Sequence, residues 1–156
     1  DIFLSTFPNA NLGQTNAKIQ RFTGQANLTL LNPVQDPNDP IREMRDGVCI
    51  TPDDVHMVGH MGQVIYWDGS SLSHTNLYDD VDVQERPTLW GVDGDAVLGF
   101  VAVGDAGAVA RMKGNEWTEL QSVTPERLND VWVGPDGVTW IVGDKGVILR
   151  LEEDTP

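Results

Sequence analysis

One phrase, written three times, constrains this chain more than any other feature. Each copy consists of an apolar run, a Gly-x-x-Gly break and a second apolar run, and the copies occupy residues 55–65, 100–110 and 139–149. The phrase is typical of a β-hairpin, since glycine accepts the positive φ of a tight turn. Its recurrence about every 42 residues predicts a repeat architecture.

The flanks of each hairpin carry further short apolar runs. Val48, Trp90 and Trp132 lie in the runs before the hairpins and are spaced 42 residues apart, twice. Turn-forming segments such as Asp93-Gly94-Asp95 separate these runs from the hairpins. Each period therefore holds four short antiparallel strands, A to D, which is typical of a β-propeller blade of roughly 40–45 residues.

The predicted fold is all-β, a propeller with about 14 strands in 3.5 to 4 blades. The first blade is degenerate and is followed by an irregular connector, while the last blade is incomplete. The first blade lacks strand A and the last lacks strand D, so both would leave open sheet edges. We therefore expect a segment of a larger propeller, or a ring that other chains complete. The predicted boundaries are 1–45, 46–87, 88–128 and 129–156.

Two segments depart from the repeat and are the most distinctive predicted surfaces. Residues 7–13 enlarge the first B–C hairpin, and residues 32–40 form a connector with three prolines. Neither segment is explained by the packing of blades alone, so both are candidates for specific recognition.

Composition excludes several partners. The chain has 24 acidic and 10 basic residues and a formal charge of −14, which disfavours nucleic acid and anionic membrane surfaces. Every apolar run is shorter than the roughly 20 residues that a membrane-spanning helix needs, so no membrane insertion is expected. Cys49 is the single cysteine and lies in an apolar stretch, which predicts a buried structural thiol.

The first candidate functional residues occupy one slot of the hairpin. This slot holds His60, Asp105 and Asp144 in the three copies. One interpretation is structural, with the aspartate capping the hairpin backbone while the following glycine supplies a positive φ. The other is a ring of side chains on one face that binds a cation or a sugar. The copies lie too far apart for a local calcium loop, so no metal and no cofactor are predicted.

A second set comprises Arg45, Arg86 and Arg127, spaced 41 residues apart, twice. Regular recurrence in the predicted D–A connectors suggests that each arginine does the same local job. One possibility is a bidentate pair with an acidic residue such as Asp105 or Asp144. The alternative has the three guanidinium groups converging on an anionic ligand, such as a carboxylate or a peptide terminus.

The remaining polar and aromatic residues suggest packing. The five tryptophans are expected in the core, because packing between blades consumes large flat side chains. His56 and His74 are isolated in sequence and suggest structural or exposed positions. The sequence contains no Gly-x-Ser-x-Gly, His-Glu-x-x-His, P-loop or Cys-x-x-Cys motif, so no catalytic residue is assigned.

Several motifs resemble bacterial propeller repeats. Residues 103–109 and 142–148 share Val-Gly-Asp-x-Gly-x-Val/Ile, and Trp-Asp-Gly at 67–69 and Gly-Asn-Glu-Trp at 114–117 accompany them. These resemble the repeats of the photosystem II assembly and stability factor type, which are related to BNR (bacterial neuraminidase) repeats. The resemblance covers about residues 46–151, and tectonin-type lectin repeats are also similar. It implies a propeller that serves as a binding scaffold, in the periplasm or outside the cell.

We expect a non-enzymatic binding or scaffold module that presents B–C hairpins and D–A connectors to a protein or peptide partner. A carbohydrate-binding, lectin-like propeller is one alternative. Another is a fragment of a propeller glycosidase whose catalytic residues lie outside this segment. The Asp-box Ser-x-Asp-x-Gly-x-x-Trp is not intact in the sequence, which weighs against glycosidase activity.

Overall fold

The computed structural model describes residues 2–6, 18–22, 28–31, 41–82 and 84–152, with side chains described from residue 41 onward. The all-β prediction is confirmed within these ranges. They hold 14 strands in four antiparallel sheets, of three, four, four and three strands. The distinctive segments at 7–13 and 32–40 lie outside the described residues.

The four sheets follow one another along the chain, and in each sheet the strands pair in sequence order. The first sheet contains β1 (Ile2–Thr6), β2 (Lys18–Phe22) and β3 (Leu28–Leu31). The second contains β4 (Met44–Thr51), β5 (Asp54–Gly59), β6 (Gln63–Trp67) and β7 (Leu72–Asn76). The third contains β8 (Leu89–Asp95), β9 (Gly99–Gly104), β10 (Val109–Lys113) and β11 (Glu116–Leu120). The fourth contains β12 (Leu128–Val133), β13 (Thr139–Gly143) and β14 (Ile148–Leu151).

The three Gly-x-x-Gly hairpins adopt one backbone conformation. Each turn is a single 3-10 turn with two successive residues at positive φ, for example Ala106 at 53° and Gly107 at 73°. Lys145 and Gly146 take the same angles within a few degrees, at 54° and 79°. Two left-handed residues in a row match the right-handed twist of the flanking strands, so the prediction of hairpins at these sites is confirmed.

The first glycine of each turn is required by a close approach. In the third sheet this approach is made by Thr88, the connector residue just before β8. Its carbonyl oxygen accepts a hydrogen bond from Asp105 N of the hairpin at 2.9 Å. A Cβ at Gly104 would collide with that oxygen. Gly59 and Gly143 face connector carbonyls in the same way. Glycine therefore lets the connector lie against the hairpin.

Strand pairing corrects the predicted equivalence of Trp90. Gly104 pairs with Leu89, just as Gly59 pairs with Met44 and Gly143 with Leu128. In this register Trp90 occupies the position of Arg45, and not that of Trp132. Successive hairpin glycines are 45 and then 39 residues apart, because the connector after the second sheet is longer. Val48 and Trp132 do share a strand position, so only the placement of Trp90 midway between them is a coincidence.

The second, third and fourth sheets pack face to face in series. One apolar cluster joins the second sheet to the third through Val58, Val64, Val92 and Ala102. Another joins the third to the fourth through Val101, Val103, Val131 and Ile141. β8 contacts both β4 and β12, so the first strands of the three sheets lie side by side. Side chains alternate along each strand, which gives every inner sheet two apolar faces.

Aspartates on the first strands lock neighbouring sheets together. Asp46 of β4 accepts a hydrogen bond from Val92 N of β8 at 2.9 Å. Asp93 of β8 accepts one from Val133 N of β12 at 2.7 Å. Because β8 and β12 are edge strands, every second N–H points away from its own sheet and needs such a partner.

Three predictions of burial are wrong. Cys49 is exposed, because its side chain alternates to the solvent side of β4. Trp132 and Trp140 are also exposed, at 56% and 42% of their surfaces, although Trp67 is buried as expected. Trp132 and Trp140 are cross-strand neighbours on the outer face of the fourth sheet.

Candidate functional site

The turns and connectors lie on one side of the second, third and fourth sheets. We call this side the hairpin edge and define it by turns 60–62, 105–107 and 144–146 with connector residues 43, 88 and 127. Hydrogen bonds of 2.8–2.9 Å from His60 N, Asp105 N and Asp144 N to connector carbonyls hold it together. Every candidate residue predicted from the hairpin slot is therefore on this edge.

Trp90 is the centre of the hairpin edge. Its indole N–H donates to Asp105 Oδ1 at 2.8 Å. The Arg45 guanidinium lies 4.6 Å from the ring centroid and the Arg127 guanidinium 5.1 Å from it. Both distances are within the range of cation–π attraction. Arg45 belongs to the second sheet and Arg127 precedes the fourth, so residues of three successive sheets meet at one indole ring.

Asp105 and His60 meet at Thr88. The Thr88 backbone N–H donates to Asp105 Oδ2 at 3.3 Å, and its hydroxyl lies 3.0 Å from His60 Nδ1. The hairpin slot therefore acts differently in successive copies, since His60 reaches into the next sheet and Asp105 stays within its own. The predicted capping of the hairpin by its own aspartate is wrong for Asp105, whose carboxylate binds the connector and Trp90 instead.

Arg127 and Asp144 form one of the ion pairs that the sequence suggested. Arg127 Nη2 lies 3.3 Å from Asp144 Oδ1, and the Asn129 amide donates to the same oxygen at 2.8 Å. The hydrogen bond from Asn129 lowers the pKa of Asp144 below its ordinary value, and Arg127 acts in the same direction. Asn129 also receives a bond from Arg127 Nε at 2.8 Å, so the three side chains form a closed network.

Arg86 does a different job from the other two arginines. It pairs with Asp79 at 3.2 Å and donates to the Val81 carbonyl oxygen, both in its own connector. The strand register also separates the three arginines. Counted from the residue that pairs with the hairpin glycine, Arg86 lies three residues before it, Arg127 lies one before it and Arg45 lies one after it. Each arginine does pair with an acidic side chain, Arg45 with Glu43, but the three pairs form at different strand positions. Two of the three guanidinium groups converge, and they converge on Trp90.

A hollow of about 440 Å³ opens beside this cluster on the hairpin edge. Arg86 and Asp105 line it together with the aromatic ring of Tyr78, the Pro87 ring and Leu120. Charged and apolar side chains therefore share one concave surface next to Trp90. Such a mixture suits the burial of a side chain or a short peptide segment.

A second and larger groove lies between the second and third sheets. Its volume is about 570 Å³, and its lining includes His56, Tyr66, His74, Asp95 and Asn115. The Tyr66 ring is 37% exposed and offers a flat apolar surface beside carboxylate, amide and imidazole groups. Aromatic faces beside hydrogen-bonding groups are the elements that a ligand pocket needs.

His56 is buried beneath this groove. Its ring stacks on Tyr66 at 4.7 Å and packs against Phe100 in a tilted arrangement at 3.9 Å, and Nε2 lies 3.2 Å from Asp54 Oδ1. Burial lowers the pKa of His56, although Asp54 opposes this shift. The imidazole is therefore neutral near pH 7 and packs as an aromatic spacer between the two sheets.

Within the described ranges, no group of three or more His, Cys, Asp or Glu side chains could hold a metal ion. The same ranges contain no helix that is long and apolar enough to cross a membrane. The sequence matches no protein-family model and no curated protein.

Sequence reasoning missed Trp90 and Thr88 as members of the site. Trp90 is predicted in the core with the other tryptophans, because packing between blades consumes large flat side chains, and its spacing suggests a strand position shared with Trp132. The available signal was the distance to the following hairpin, since Arg45 and Trp90 both lie 14 residues before the first glycine of their turns.

Proposed function

We propose that the chain is a non-enzymatic β-propeller module whose four sheets are blades, of the kind its repeats resemble. Serial face-to-face packing and adjacent first strands support this arrangement. A further blade or another chain would complete the ring. Rigid blades would then hold the hairpin edge in a fixed shape for a partner.

We propose further that the hairpin edge binds a protein or peptide. The observation that carries this proposal is the meeting of Arg45 and Arg127 at the ring of Trp90. Tryptophan and arginine are the side chains most enriched where protein interfaces concentrate their binding energy. Each guanidinium is paired with a carboxylate, Arg45 with Glu43 and Arg127 with Asp144, so a partner would meet charges of both signs around the indole ring.

A peptide selection tests the hairpin edge. Peptides selected from a displayed random library against the whole chain are measured for binding to it and to an Arg45→Gln, Arg127→Gln double variant. We expect the double variant to bind them at least tenfold more weakly, because both guanidinium groups lie at Trp90, where the peptide is proposed to bind. Arg150→Gln is the matched control, since Arg150 flanks Trp140 on the fourth sheet. Selected peptides that bind all three proteins equally well would refute this use of the edge.

A carbohydrate is the second candidate ligand, and the groove beneath Tyr66 favours it. Sugars stack on exposed aromatic rings. Their hydroxyl groups also form hydrogen bonds with side chains such as Asn115 and Asp95. A glycan array probed with the chain and with Tyr66→Ala separates this candidate from the first. Glycan binding that Tyr66→Ala abolishes would support a lectin, and an array without signal would reject it.

A further inference from the structure

The outer face of the fourth sheet differs from the same face of the two sheets before it. Strand pairing places Val142 in the position of Val58 and Val103, and Ile148 in the position of Val64 and Val109. Val58 and Val103 are fully buried, whereas Val142 is 44% exposed. Ile148 is 66% exposed, against 3% and 7% for its equivalents.

The exposed side chains form one continuous surface, which we call the outer face. Trp132, Trp140 and Arg150 are neighbours across β12, β13 and β14. Asp130, Val142 and Ile148 form the next row. Two indole rings and two aliphatic side chains in one patch are more than a soluble surface ordinarily leaves uncovered.

In the second and third sheets the next sheet covers this face. The third sheet covers the second with Leu89, Val92, Ala102 and Ala110. The fourth covers the third with the residues at equivalent positions, namely Leu128, Val131, Ile141 and the partly buried Leu149. The same geometry therefore occurs twice, with aliphatic side chains at corresponding positions of the covering sheet.

The aspartate locks show how a covering sheet aligns. Asp46 accepts the N–H of Val92, and Asp93 accepts the N–H of Val133. When equivalent positions of the first strands are aligned, each aspartate therefore binds the N–H that lies one residue further along the next first strand. Asp130 occupies the position of Asp46 on the outer face. Its carboxylate accepts a bond from its own neighbour, Val131 N, at 2.9 Å. Among the described residues the other carboxylate oxygen receives no hydrogen bond, and it lies in the place where Asp46 binds another sheet.

We propose that the outer face binds a further β-sheet of this same repeat, with aliphatic residues at the four covering positions and a first-strand N–H directed at Asp130. The inference rests on the proposed blade arrangement and is independent of peptide binding at the hairpin edge. A second copy of the chain docked by its own outer face would place indole against indole and would not provide the first-strand N–H groups.

Extension of the chain with its own sequence tests the proposal. β14 occupies the place of β10, so a copy of residues 114–152 joined after Glu152 supplies a fourth strand and a new sheet. In the copy, threonine replaces Trp132, Trp140, Val142 and Ile148, which distinguishes its peptides by mass. Hydroxyl-radical footprinting then reports the accessibility of the original Trp132 and Trp140. We expect their oxidation rates to fall about fivefold, while that of Trp67, buried in both chains, stays unchanged.

A second extension guards against a design that does not fold. Residues 69–113 joined after Glu152 offer the covering surface of the third sheet instead. The proposal is overturned if neither extended chain protects Trp132 and Trp140. It is equally overturned if the unextended chain protects them in a dimer that Trp132→Thr dissociates in light scattering, because the occupant is then a second copy. Peptides that bind the Arg45→Gln, Arg127→Gln variant as tightly as the original chain would refute the hairpin edge and leave the outer face untouched.

Asp130→Ala separates specific docking from general coverage of apolar surface. In the chain extended with residues 69–113, where Gly91 and not an aspartate precedes Val92, we expect Asp130→Ala to restore at least a third of the lost Trp132 oxidation, because the Val92 N–H of the new first strand loses its acceptor. In the unextended chain the same substitution should leave oxidation unchanged. Equal behaviour in both chains would contradict the proposed alignment.

Discussion

Replacing Asp93 with alanine is expected to lower the free energy of unfolding by about 2 kcal/mol. The carboxylate accepts the Val133 N–H at 2.7 Å across the boundary between the third and fourth sheets. A hydrogen bond to a charged group contributes roughly 1.5–3 kcal/mol, and both residues are half-buried, so water replaces the lost acceptor poorly. For a chain of this size, the loss corresponds to a fall of about 4–8 °C in the melting temperature.

Two matched variants isolate the cause. Asp93→Asn keeps an oxygen acceptor and loses the charge, so about 1 kcal/mol of destabilisation is expected. Asp130→Ala removes an exposed carboxylate that, within the described ranges, binds only the adjacent Val131 N–H of its own strand, and should cost less than about 0.5 kcal/mol.

Urea unfolding followed by tryptophan fluorescence measures all three variants. The slope of the free energy against urea should be the same for each, because the surface exposed on unfolding does not change. Equal losses for Asp93→Ala and Asp130→Ala would refute the reasoning, since the inter-sheet bond would then contribute nothing of its own. A loss for Asp93→Asn as large as that for Asp93→Ala would show that oxygen acceptance is not the source of stability.

Three further changes probe other parts of the fold. Burial lowers the pKa of His56 below its ordinary 6.5, so the unfolded chain binds the proton more tightly; stability is complete above pH 6.5 and falls below it. His56→Gln should therefore reduce the change of the urea midpoint between pH 7.5 and 5. A variant whose midpoint depends on pH as strongly as that of the original chain would contradict this account. Gly104→Ala places a methyl group against the connector carbonyl and should cost about 3 kcal/mol in urea unfolding, against about 1 kcal/mol for Gly114→Ala at an open left-handed turn. Trp90→Phe keeps the ring but loses the N–H bond to Asp105, so thermal unfolding should show a loss of about 1 kcal/mol; no loss would mean that the bond is exchanged for water without cost.

The candidate site was partly predictable. The hairpin slot identified His60, Asp105 and Asp144 correctly as residues of one edge, because the turn geometry is local and recurs with the sequence. The arginines were misaligned, since Arg86 shares a spacing with Arg127 but not a strand position. Connector length decides that alignment, and even spacing concealed a long connector followed by a short one.

The sequence by itself determined the strands, their turns and their order within each sheet. Alternating side chains and glycine at positive φ act over a few residues, so these features follow from local chemistry alone. Only the tertiary structure decided which sheet faces are covered by a neighbouring sheet. The same alternation of side chains along a strand occurs whether the outward face is buried or exposed. Asp46 meets Val92 and Asp93 meets Val133 across 46 and 40 residues, where the docking of whole sheets sets the contact. Trp132 and Trp140 are a second example. They follow the sequence pattern of a core strand, but they are exposed because no sheet of the described chain covers them.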